Sequence, residues 1–143
     1  MKKIIAIIGV SAILFSCKKK TEDPQPPAQT KENIAGIYKV TALTFSAAGA
    51  AEADGYNTYI PACQRDDLQH LKADLSYSNI DAGTVCSPAG DKVGTWSLPA
   101  TGKIIIDGQA ADIVSFSGTA LVISRVQSVL GTPTTFKFTL TKQ

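Results

Sequence analysis

The sequence is poor in the residues from which most catalytic and metal sites are built. It has one histidine, His70, and three cysteines in 143 residues, with none of the His and Cys spacings of metal sites. No serine lies in a Gly-x-Ser-x-Gly elbow, and no glycine-rich loop has the pattern that holds phosphate groups. The sequence therefore favours neither an enzyme nor a protein that carries a metal or another cofactor.

Positive charge is also scarce beyond the first part of the chain. From Lys31 onward there are nine Lys and Arg residues against ten Asp and Glu residues, and they form no basic stripe. Proteins that bind nucleic acid usually carry such a stripe or patch. Nucleic acid is therefore not an expected partner.

No hydrophobic run is long enough to cross a membrane as a helix. The run from Ile4 to Phe15 has twelve residues and is apolar apart from Gly9 and Ser11, whereas a membrane-spanning helix needs about 20. Two lysines precede the run, as in the charged start of a secretory signal peptide. The pattern therefore predicts export rather than a membrane span.

The cysteine that follows this run has the setting of a lipid-attachment site. Leu14-Phe15-Ser16-Cys17 resembles the lipobox of bacterial lipoproteins. The resemblance implies that a diacylglyceryl group is attached to the Cys17 thiol, that residues 1–16 are removed as a signal peptide, and that the new amine is acylated. Two or more acyl chains hold a protein stably on a membrane, so membrane lipid is the first expected partner. The alternative is an uncleaved anchor with a chance cysteine.

Residues 17–31 are expected to be the lipidated cysteine and a disordered tether. Thr21 to Gln29 contains three prolines and no aromatic residue, so it cannot bury enough apolar surface to offset the entropy of ordering. Lys18 to Asp23 loosely resembles the lysine-then-acid tether of lipoproteins exported to the cell surface in Bacteroidetes-type bacteria. We expect a lipid-anchored protein of the bacterial cell envelope, at the outer membrane, on its periplasmic face or on the cell surface.

The two remaining cysteines are expected to form a disulfide. An exported chain reaches an oxidising compartment, where an even number of cysteines usually pairs. Cys63 and Cys86 are such a pair once Cys17 is lipidated. Two free thiols are the alternative, and a metal site would need further ligands.

The residues after Glu32 show many short strand patterns and no sustained helical stripe. Residues 135–141 alternate between apolar and polar, and a change of face within residues 34–45 predicts a bulge near Thr41-Ala42. About eight strands with short connections predict one all-β domain over residues 32–143, an up-and-down antiparallel barrel whose closure removes exposed edges. A two-sheet sandwich is the alternative. The long connection at residues 46–62 is expected at the barrel mouth, with a brief strand between Tyr56 and Ala62.

An ordered set of motifs resembles a known family, the lipocalin-like domain of small lipoproteins from Bacteroidetes. The motifs are Gly36-Ile37-Tyr38, Cys63 with Asp66-Asp67, Cys86, Gly94-Thr95-Trp96-Ser97-Leu98, Val114-Ser115-Phe116, Leu121-Val122-Ile123-Ser124 and Phe136-Lys137-Phe138. The resemblance covers nearly all of residues 34–142. It implies a calyx-like barrel that binds a small apolar or amphipathic ligand, and it carries no activity over to individual residues.

Four aromatic residues are candidates for contacts with such a ligand: Tyr38, Trp96, Phe116 and Phe138. An eight-stranded barrel is just wide enough to be filled by side chains or to hold one small ligand, so Trp96 either lines a cavity or plugs the barrel floor. We expect a small or closed interior. The alternative function is therefore a non-catalytic structural or protein-interaction module with a filled barrel, whose partner the sequence does not name. Asp66 and Asp67 could act as a pair in acid–base chemistry, but adjacent strand residues point to opposite faces and cannot contact one substrate atom together. They are therefore expected to stabilise a cap or turn beside Cys63.

Overall fold

Antiparallel strands make up most of the part of the chain that the structure, a computed structural model, describes: residues 25–143. In chain order the elements are α1 (Lys31–Ile34), β1 (Gly36–Ala47), β2 (Ala53–Asp54), α2 (Tyr56–Tyr59), a 3₁₀ turn (Ala62–Gln64), β3 (Leu68–Leu71), β4 (Ser76–Ile80), β5 (Lys92–Ser97), β6 (Lys103–Ile106), β7 (Gln109–Phe116), β8 (Ala120–Val129) and β9 (Thr132–Lys142). Within residues 25–143 no helix has the length and apolarity that a membrane crossing requires. The predicted signal peptide, the lipidation of Cys17 and the first part of the tether lie outside the described residues.

The sheet closes on itself. Each strand from β3 to β8 pairs antiparallel with the next one in the chain, and β1 pairs with both β3 and β9. The pairing of β1 with β9 runs from Tyr38 opposite Lys142 to Ala47 opposite Thr134, so it joins the two ends of the domain. The predicted all-β up-and-down barrel of eight strands is confirmed, with β2 as one extra strand, and the two-sheet sandwich is excluded.

The two ends of the barrel differ, and we name them by their connections. The floor is the end at the start of β1, with the turns at residues 72–75, 98–102 and 117–119. The mouth is the opposite end, with the long loops at residues 48–67 and 81–91 and the turns at residues 107–108 and 130–131.

Side chains fill the floor. Trp96 is 1% exposed, and its indole Nε1 donates a hydrogen bond to the carbonyl oxygen of Lys72 at 2.7 Å. Ile34, at the end of α1, is fully buried, and its carbonyl oxygen accepts a hydrogen bond from the Tyr38 hydroxyl at 2.5 Å. Buried apolar side chains from the surrounding strands complete this core: Leu71, Ile104, Ile113, Phe116, Leu121 and Leu140. Trp96 therefore plugs the floor, one of the two placements considered for it.

The change of face predicted in the first strand is a β-bulge. The register of β1 against β9 shifts between Val40 and Ala42. One extra residue at this point lets Tyr38 below it and Leu43 above it both point into the barrel, where each is buried. A second shift in β7, between Ile113 and Ser115, was not predicted from the sequence.

The long connection after β1 runs along the mouth, but part of its secondary structure differs from the prediction. Tyr56–Tyr59 forms one helical turn, so the predicted brief strand is wrong. The Asp54 carboxylate accepts a hydrogen bond from the Tyr56 amide at 3.0 Å, which favours a turn. The Tyr56 hydroxyl also donates a hydrogen bond to the carbonyl oxygen of Val40 at 3.1 Å. The Asp54 turn and this tertiary contact outweigh the strand propensity of the tyrosines.

The chain enters the barrel from the floor side. The Gln29 side-chain oxygen accepts a hydrogen bond from the Gly102 amide at 3.2 Å. Pro27 lies over Gly118, where an added Cβ atom would come within 3.3 Å of the proline ring. Gly102 and Gly118 both belong to floor turns, so the described part of the tether lies at the end opposite to the mouth.

Candidate functional site

The mouth half of the barrel is hollow. It contains a cavity of about 510 Å³ that continues into a smaller cavity of about 200 Å³ nearer the floor. Cavities that bind small molecules usually measure about 300–1,000 Å³, and even a dry cavity of about 150 Å³ accepts a benzene-sized molecule. The interior is therefore large enough for a small organic molecule, and the expectation of a small or closed interior holds only for the floor half. Wall residues common to both cavities are Val40, Gln69, Tyr77, Asp107, Arg125 and Phe138.

The wall of the cavity changes from apolar to polar toward the mouth. Near the floor it consists largely of aliphatic and small side chains, which continue the inward faces of the strands that build the core: Ile106, Ala111, Ile123 and Leu140. Nearer the mouth, polar and charged side chains line the wall beside apolar ones: Gln64, Asp67, Asn79, Lys92 and Gln127 together with Leu43, Tyr59, Ile60 and Phe136. The inner end of the cavity therefore suits an apolar group, whereas the outer part offers both polar and apolar contacts.

Arg125 is the one arginine in the cavity wall, and its charge is not neutralised within the described chain. It follows Leu121 and Ile123 on the inward face of β8 and is half-buried. Its Nε is buried and has no hydrogen-bond partner, and the ion pairs among residues 25–143 do not include it. Its guanidinium carbon lies 5.2 Å from the centre of the Phe138 ring. Burial lowers the pKa of Arg125, although an arginine keeps its charge in a protein.

The adjacent aspartates Asp66 and Asp67 have different surroundings. Asp66 accepts a hydrogen bond from the Thr84 amide at 2.8 Å, and this bond lowers the pKa of Asp66. Asp67 points into the cavity, where Asn79 Nδ2 donates to one carboxylate oxygen at 3.2 Å and the other oxygen has no partner. Burial raises the pKa of Asp67. Asp66 thus holds a mouth loop, as expected for a turn-stabilising residue, whereas Asp67 belongs to the cavity wall.

A disulfide and several hydrogen bonds fix the rim of the mouth. The predicted pairing of Cys63 with Cys86 is confirmed, and it joins the two long mouth loops. Asp81 accepts hydrogen bonds from the Cys86 and Gly90 amides, so the loop that carries Cys86 has a second support. The aromatic rings of Phe45, Tyr59 and Phe136 pack against one another at centroid distances of 5.0–6.4 Å.

The barrel wall has a seam between β7 and β8. The ladder between these strands ends, toward the mouth, at Asp112 opposite Ser124. Beyond this pair, residues 109–111 pair with β6 and residues 125–129 pair with β9. Gln109, Ala111 and Arg125 all line the smaller cavity, so the hollow reaches this seam.

The four aromatic residues predicted as ligand contacts do not lie together in the cavity. Phe138 lines both parts of the hollow. Tyr38, Trp96 and Phe116 belong to the packed core of the floor and are not among the residues of the cavity wall. Sequence reasoning missed Arg125, although its alternation with Leu121 and Ile123 along one strand was the signal that could have found it.

Comparison with known proteins identifies no relative: no protein-family model, curated protein or solved structure matches this chain. Among residues 25–143 no group of three or more His, Cys, Asp and Glu side chains is arranged to hold a metal ion. The predicted absence of enzymatic activity stays a prediction.

Proposed function

We propose that this protein is a lipid-anchored, lipocalin-like lipoprotein of the bacterial cell envelope whose barrel binds a small amphipathic molecule. The observation that carries the proposal is the hollow of about 510 Å³ in the mouth half of the barrel. Its volume is typical of small-molecule sites, and the smaller cavity into which it continues has a mostly apolar wall; in such sites a few polar groups fix the orientation of the ligand. The hollow favours this function over the alternative of a filled structural or protein-interaction module.

The position of the tether agrees with an anchor at Cys17. Gln29 and Pro27 contact the floor turns, so the tether reaches the barrel at the end opposite to the mouth. The chain between Cys17 and Gln29 can span at most about 40 Å when fully extended. A tether attached at the floor leaves the mouth free for ligand exchange.

Native mass spectrometry of the full protein purified from its own host tests the proposal. We expect a co-purifying small molecule on the wild type and its loss from Ala111→Phe, because Ala111 lines the inner cavity and a phenyl group would fill it. Ala110→Phe is the matched control, since Ala110 is the exposed neighbour on the opposite face of β7. The same spectra report the anchor as a chain that begins at Cys17 and carries acyl groups.

Two results would contradict the proposal. One is a wild-type protein without any bound molecule together with identical spectra for the Ala110 and Ala111 variants. The other is a chain that retains residues 1–16 and carries no acyl group, which would remove the lipid anchor from the proposal and leave the binding function to be judged by the first result.

A further inference from the structure

The two arginines of the chain differ in whether the protein supplies hydrogen-bond partners for the guanidinium. Arg65 is fully engaged at the rim, where its Nε donates to the carbonyl oxygen of Ile60 at 3.1 Å and a terminal nitrogen donates to that of Asn57 at 3.2 Å. It also stacks over the Tyr56 ring. Arg125 has the Phe138 ring on one side and the cavity on the other, with its Nε left without a partner. Arg65 therefore has a structural role that the surroundings of Arg125 do not offer.

Arg125 is half-buried, and its buried Nε has no hydrogen-bond partner. Withdrawing part of a charged group from water is unfavourable unless an opposite charge or hydrogen bonds replace the lost hydration. Proteins usually keep such a group at a site of function, because a neutral side chain would pack there at lower cost. Arg125 presents a planar set of donors that matches a carboxylate, and the Phe138 ring holds this plane in place.

The carboxylates in the cavity wall do not provide that partner. Asp67 is hydrogen-bonded to Asn79 at the mouth, and Asp107 is exposed on the turn between β6 and β7. Neither forms an ion pair with Arg125, since the ion pairs of the described range join other residues. Lys92, also in the wall, is exposed and adds a second positive charge at the mouth.

We propose that Arg125 binds the acidic group of the ligand, so that the molecule held by the barrel is an amphiphile with one carboxylate. This inference rests on the proposed binding function and adds the chemical class of the ligand. The carboxylate would lie against the guanidinium of Arg125, and the apolar part would extend along Phe138 toward Ile123 and the floor. Arg125 would then gain charge-assisted hydrogen bonds that the described chain does not give it.

Three probes with the same chain and different head groups test the inference: octanoate, octanol and octylammonium. Each is titrated against the full-length protein in phospholipid nanodiscs by equilibrium binding of the labelled probe, with empty nanodiscs as the blank. We expect octanoate to bind about 10- to 100-fold more tightly than octanol, the range that one charged hydrogen-bonded contact supplies. Octylammonium should bind more weakly than octanol.

Substitutions then assign the preference to one side chain. Arg125→Gln should reduce octanoate affinity to that of octanol and leave octanol binding unchanged, while Arg125→Lys should keep part of the preference because it keeps the charge. Lys39→Gln is the control for a general effect of positive charge, because Lys39 lies on β1 and is not among the residues of the cavity wall, and it should change octanoate affinity less than about threefold. Thermal unfolding of each variant establishes that it is folded. If Arg125→Gln does not fold, the order of the three probes on the wild type and on Arg125→Lys still decides.

The failure of this inference and the failure of the proposed function are distinguishable. Equal binding of octanoate and octanol, or an octanoate preference that survives Arg125→Gln, would overturn the role of Arg125 while leaving the cavity as a binding site. If no probe bound above the empty nanodiscs, the binding function itself would be contradicted.

Discussion

Breaking the Cys63–Cys86 bridge should destabilise the protein by an amount that the chain topology sets. The bridge closes a loop with a sequence separation of 23 residues. In the chain-entropy model a loop of this length constrains the unfolded state by about 3.4 kcal/mol. The hydrogen bonds that Asp81 accepts from the Cys86 and Gly90 amides do not involve the sulfur atoms, so the loop keeps a native support after the change. We therefore expect Cys86→Ser to cost about 3 kcal/mol, mainly through the unfolded state.

Urea denaturation of the full-length protein, with and without a strong thiol reductant, measures this cost. Under oxidising conditions the wild type should exceed Cys86→Ser by about 3 kcal/mol in the free energy of unfolding, and under reducing conditions the two should agree. Cys63→Ser with Cys86→Ser is the control, because it should match the single variant under both conditions. Equal stability of wild type and Cys86→Ser under oxidising conditions would refute the reasoning.

Removing the charge of Asp66 and removing that of Asp67 should change the free energy of unfolding in opposite directions. Asp66→Asn should lower stability at neutral pH: the Thr84 amide holds the pKa of Asp66 below its usual 3.8, and this contribution is present above 3.8 and lost as the pH falls through the lowered pKa. Asp67→Asn should raise stability at neutral pH. Burial raises the pKa of Asp67 above 3.8, so the wild type loses stability as the pH rises through the raised pKa. Asparagine stays neutral and does not have this loss. Urea denaturation from about pH 3 to about pH 8 measures both, and changes of the same sign at neutral pH would contradict them.

The barrel could be predicted because its strands show an alternation of apolar and polar residues that is visible in the sequence. Residues 135–141 alternate strictly and form the middle of β9, and the change of face in residues 34–45 marks the bulge that the register shows. The helical turn at Tyr56–Tyr59 could not be predicted in the same way. It depends on the Asp54 side chain and on a contact with Val40, which only the folded barrel brings near.

The candidate site was harder to predict because the strand pattern gives the face of a side chain but not its height in the barrel. Tyr38, Trp96, Phe116 and Phe138 are all apolar candidates for the interior. They lie in different parts of the barrel, because α1 inserts Ile34 at one end and fills the floor there. Which end stays hollow therefore depends on a short helix whose packing the sequence pattern does not reveal.

Under the proposed binding function, the seam between β7 and β8 would give the ligand a second way out of the barrel. Beyond Asp112 and Ser124 no ladder joins the two strands, so an outward bend of the β6–β7 hairpin would break the short ladder between β6 and β5 but no pairing with β8. The rim, by contrast, is spanned by a covalent bridge. The residence time of the ligand would then depend on how often this hairpin opens. A covalent link between the hairpin and β8 would slow ligand release without changing which molecules fit the cavity.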